Sequence, residues 1–137
     1  MDTFGVFNVS ASALVAQRQR MNSIASNVAN IHTTRTQEGG PYKRQDVVFE
    51  VLPIGKVEEQ AMGVQVSKVL QDENPPMKVY NPSHPDADED GYISLPNVNV
   101  VEEMVNMMTA ARAYEANVSA FNISKGMFLK TLEIGRY

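Results

Sequence analysis

At 137 residues the chain is the size of one compact domain, which excludes separate cofactor and substrate lobes. Its 12 Lys+Arg against 16 Asp+Glu give a net charge of −4 and a pI near 5.1, so there is no general basic field for nucleic acid. There is no cysteine, which removes disulfides, thiolate metal sites and cysteine nucleophiles together. The opening MDTFGVFNVS has no basic stretch ahead of an apolar run, and no run of about 18 apolar residues occurs anywhere. Neither a cleaved signal peptide nor direct membrane insertion is expected.

All seven prolines fall between residues 41 and 96, while residues 6–38 and 97–125 contain neither Gly nor Pro. Uninterrupted spans of that length are what long helices need. The expected fold is mainly α, with an N-terminal helix within residues 1–36 and a C-terminal helix within 97–137, paired as an antiparallel coiled coil. A small β-rich or irregular insertion over 37–96 separates them. Charge follows the same division, summing to +2 over residues 1–37, −6 over 38–90 and 0 over 91–137.

In the first span, Phe7, Leu14, Met21 and Val28 recur every seven residues, with Ile24 and Ile31 at the offset of three. The second track is incomplete, because Ser10 and Gln17 are polar. Residues 21–31 carry no charge and are rich in Ser and Asn, which are weak helix formers. A solvated helix face normally carries Lys and Glu. Ser23, Ser26, Asn27 and Asn30 are therefore expected to face other chains, where short side chains permit close approach; the plainer alternative is one polar helix packed against its partner.

The middle segment has period two in Val47, Phe49 and Val51 and again in Val64 and Val66, which predicts short strands joined by long connections. Val57 falls outside any clear period. Asp86, Asp88, Asp90, Gly91 and Ile93 reproduce the first half of an EF-hand loop, but the eleventh and twelfth places hold Pro96 and Asn97. An acidic turn is favoured over a calcium site. Glu58-Glu59 and Glu102-Glu103 are adjacent carboxylates whose side chains diverge on a helix, so solvated or salt-bridged roles are expected. His32 and His84 have no visible triad or metal partner. No phosphate-cradling or nucleophile-elbow motif occurs, so neither enzymatic activity nor a cofactor is expected.

The C-terminal span has one track in Met104, Ala111, Val118 and Leu132, interrupted at Lys125, and a second in Met107, Tyr114, Phe121 and Phe128. These tracks and the N-terminal seam form the expected assembly interface. Asn117 and Arg112 join it, and Arg112 can pair either with Glu115 on its own helix or with a carboxylate of another chain.

The run from Ala13 to Asn30 with Thr33-Thr34, and the run from Val100 to Asn117, resemble the terminal signatures of the bacterial flagellar axial proteins, the rod and hook family. The stretch from Asn81 to Tyr92 leading into Leu95-Pro96-Asn97-Val98-Asn99 is similar to that of the short proximal-rod members. Ser26 and Ser83 depart from the residues usual there, Asn and Gly. The resemblance implies a structural subunit that self-assembles with other rod proteins into a helical tube around an export channel. It also implies contact with the basal-body ring and export-gate base, export by the flagellar type III apparatus, and a place in the rod crossing the periplasm. A monomeric helical-hairpin adaptor would use the same heptads.

Overall fold

The computed structural model describes residues 3–55 and 61–135. Val57, Glu58 and Glu59 lie outside them. Helix α1 spans Thr3–Ala29 and helix α2 Val100–Ile134. Asn99 starts α2 by accepting from the N–H groups of Val101 and Glu102 through its side chain, at 3.0 and 3.3 Å. Glu102 and Glu103 then place negative charge in the first turn, where the helix dipole favours it. At 1.5 Å per residue α2 is about 50 Å long. The helices run antiparallel: Phe7 near the start of α1 meets Phe121 and Phe128, while Asn27 near its end meets Glu103.

Among the described residues, four strands lie between the helices: β1 (Gln45–Ile54), β2 (Ala61–Gln71), β3 (Met77–Tyr80) and β4 (Tyr92–Leu95). β1 and β2 form an antiparallel hairpin of ten and eleven residues, with the register shifting between Val48 and Phe49 so that Ser67 is left over as a bulge. β3 and β4 make a second antiparallel pair, from Met77 opposite Leu95 to Tyr80 opposite Tyr92. The alternating residues thus extend into longer strands than expected, and β3 and β4 add a second pair within the β-rich middle that the alternation did not point to.

The mainly α coiled-coil expectation is therefore corrected to a mixed fold of two helices and two small sheets. Helix α1 packs against α2 and also against both strands of the long hairpin. A coiled coil requires two apolar tracks on each helix. On α2 the buried positions beside the aromatic track are Glu103 and Ala110, followed seven places on by half-buried Asn117. Met104 and Leu132, from the other expected track, are exposed at 57% and 52%.

Among the described residues the apolar core is small: Ala16, Ile24, Ala61, Ile93, Val98 and Ala110. The largest fully buried side chains are Glu103, Asn27 and Pro96, so polar bonds carry an unusual share of the packing. Near the far end of the hairpin, Ser12 Oγ donates to Val9 O at 2.7 Å and accepts from Val64 N at 3.1 Å. A Cβ on Gly63 would lie 2.7 Å from that oxygen and 2.5 Å from Ile54 Cδ1, which is why the helix can approach the strand there.

Candidate assembly interface

Where α1 ends, α2 begins and β1 starts, four polar side chains converge. The Asn27 carboxamide oxygen accepts from Gln45 N at 2.8 Å and from Tyr42 Oη at 3.0 Å. Its nitrogen donates to Gln45 O at 2.8 Å and to Glu103 Oε2 at 3.0 Å. The amide is thereby saturated, and it occupies the backbone groups of Gln45 as a neighbouring strand would. The other Glu103 oxygen accepts from Arg44 Nε at 2.7 Å. Burial opposes the charge on Arg44, but its bond to Glu103 and the nearby carboxylates hold the guanidinium above its ordinary pKa. Burial, then the Glu103 charge, pushes the Tyr42 phenol above its ordinary 10.0.

The residues singled out from the sequence divide between this interior and the surface. Ser23, Ile24 and Asn27 are buried within the chain, and Leu14, Met21 and Val28 are half-buried. Ser26 is exposed. Asn30 is half-buried and donates to Ser26 O, while its oxygen accepts from Thr33. On α2, Met107, Ala111, Tyr114, Asn117, Val118, Phe121 and Phe128 are half-buried. Arg112 is exposed and reaches Glu115 on its own helix at 3.5 Å.

Two carboxylates of the acidic turn bond within the chain. Asp86 pairs with Arg35 at 2.6 Å and accepts from Thr34, which ties this turn to the segment after α1. Asp88 Oδ1 accepts from the N–H groups of Asp90 and Tyr92, and Gly91 closes the turn at φ 82°. Among the described residues, no group of three or more His, Cys, Asp or Glu is placed to hold a metal ion.

Outward, α2 shows Val101, Met104, Val105 and Met108 on one side of Arg112, and Ile123, Met127, Leu132 and Ile134 on the other. Exposure reaches 67% at Met108 and 76% at Ile134, so this helix presents large apolar side chains to water over most of its length.

Residues 7–36 match the family of flagella basal body rod proteins, and residues 89–134 match the C-terminal family of flagellar basal body rod FlgEFG proteins. The chain is 43% identical to flagellar basal-body rod protein FlgC of Salmonella typhimurium, over 99% of this chain and 100% of that one. It is 42% identical to the FlgC proteins of Bacillus subtilis and of Borreliella burgdorferi, over 98% or more of each chain. The chain belongs to the flagellar basal-body rod protein family. As a rod protein it is a structural component and not an enzyme.

The two family matches fall on α1 with the turn after it and on α2 with β4, so the long hairpin of this rod protein lies outside both. Sequence reasoning missed Tyr42 and Arg44, which stand in the loop entering β1. The one available signal was Glu103, seven places before Ala110 on a helix whose partner track is apolar.

Proposed function

We propose that this rod protein is a structural subunit of the proximal rod, packing α1 and α2 of neighbouring subunits into a stiff helical tube around an export channel. Its assembly with other rod and basal-body components agrees with the family. The observation that carries the reading is the outward face of α2: a helix with Met104, Val105, Met108, Ile123 and Met127 exposed has its burial completed by another chain. Export by the flagellar type III system, a position crossing the periplasm, and neighbours at the basal-body ring and export-gate base belong to the same proposal. So does the part played by the exposed Ser26 and the half-buried Leu14, Met21 and Val28. A monomeric adaptor would need its uncharged α1 face satisfied within one chain; Asn27 is satisfied there, while Ser26 is exposed on the surface of α1.

Deletion of the gene in the source bacterium is expected to abolish motility and leave basal bodies without rods. Complementation restores both, and the chain is found by mass spectrometry in purified basal bodies. Intact rods in the deletion strain would overturn the reading.

A further inference from the structure

Glu103 has no exposed surface, and its two partners, Arg44 Nε and Asn27 Nδ2, are both donors. A carboxylate has only acceptors to offer and fits both. A glutamine would turn its own amide nitrogen toward one of them. Asn27 is equally committed, with both lone pairs and both N–H groups in use. One cluster therefore fastens the end of α1, the first turn of α2 and the first residue of β1. Its benefit to stability is small by comparison with its geometric demands, because a buried ion pair is often matched or exceeded by apolar side chains of equal volume. Apolar side chains slide, whereas this set of bonds exists in one arrangement.

We propose that Asn27, Arg44 and Glu103 are positioning residues that, at the end opposite the Ser12–Val64 bond, fix the angle at which the β1–β2 hairpin lies along α1, and that rod assembly requires this angle more than the stability the cluster adds. The assembly half rests on the rod-subunit reading. In a helical tube a small angular error repeats at every subunit, so a loosened hairpin is incompatible with regular packing even in a chain that is folded.

The chain has no cysteine, so spin labels can be placed at two exposed positions, one on the hairpin and one on α2, through Lys68→Cys and Thr109→Cys. The labelled full-length chain is expected to give a single narrow distance. Arg44→Met combined with Glu103→Leu leaves one buried Asn27 N–H without its acceptor, so it is expected to melt slightly lower than the parent, to lose that single distance, and to abolish motility. If this pair does not fold, Glu103→Gln decides on the same readouts. A lowered melting temperature with the single distance retained would mean that the cluster only stabilises, and the proposal fails. A broadened distance with full motility overturns it as well, as does a parent chain that is already broad. Absence of the parent chain from purified basal bodies would instead defeat the rod reading and leave the distance result standing.

Discussion

Phe121 of α2 meets Phe7 of α1 edge to face, with ring centroids 5.1 Å apart and planes at 64°, and Phe128 approaches the same ring at 6.4 Å. This trio closes the end of the helix pair opposite the polar cluster. Phe121→Ala is expected to lower stability by about 2–3 kcal/mol, because the ring is half-buried and leaves a gap beside the Phe7 ring. Met127→Ala, at a position 67% exposed, should cost less than about 0.5 kcal/mol. Urea melts of the two variants make the comparison, and equal losses would contradict the packing.

Gly63→Ala tests the close approach of α1 to β2. The new methyl must displace Ile54 Cδ1 and the Ser12 oxygen that holds Val64 N. A loss of about 1–3 kcal/mol is expected, with faster hydrogen exchange at the Val64 amide. Ser12→Ala, which removes the bond but makes room, should be milder.

Alkaline pH should loosen the joint through Tyr42. Its folded pKa lies above the unfolded 10.0, so the folded chain holds this proton longer than the unfolded one. The stability involved is complete below the unfolded value and is lost as pH rises through the folded one. Denaturation midpoints measured from about pH 9 to 11 should fall, and Tyr42→Phe should flatten part of that fall. At neutral pH the same variant should cost about 1 kcal/mol, from the lost bond to Asn27 Oδ1.

Arg112 has a visible partner in Glu115, but both side chains are exposed, at 84% and 68%, and the pair is worth at most a few tenths of a kcal/mol. Arg112→Lys should leave the melting temperature of the isolated chain unchanged. If the guanidinium also grips a carboxylate of a neighbouring subunit, the same change reduces motility, since an ammonium cannot reproduce a bidentate fork. Full motility of Arg112→Ala would leave the residue with its helix-surface role alone.

Circular dichroism should show less helix in the dilute chain than in assembled rods. The Ser/Asn-rich end of α1 has poor intrinsic propensity, and α2 leaves much of its apolar surface without a partner inside the chain. Equal helicity in the two states would count against ordering on assembly.

The period of seven in Met107, Tyr114, Phe121 and Phe128 was legible because those four are apolar and share the half-buried side of α2. Its companion was not. The sequence pointed to Met104, Ala111 and Val118, while burial beside the aromatic track falls one position earlier, on Glu103 and Ala110. A pattern search counts apolar residues and so passes over a buried carboxylate whose partners, Arg44 and Asn27, are distant in sequence. The same reason hides Tyr42 and Arg44 in what reads as a polar loop. The hairpin was visible through Val47, Phe49, Val64 and Val66, but its length was not, since Pro53 and Gly63 read as breakers although both lie inside strands. For Asn27, polarity invited a role between chains; the fold uses it as a stand-in for a strand beside Gln45.

The bare outer surface of α2 has a bearing on how mutations in this chain will score. A survey of variants ranked by melting temperature would find Met104, Met108, Ile123 and Ile134 replaceable at little cost, because each is more than half exposed within one chain. Ranked by swimming, the same positions would stand out. The gap between the two rankings, residue by residue, would draw the outline of the contact with neighbouring subunits before any image of the rod is obtained.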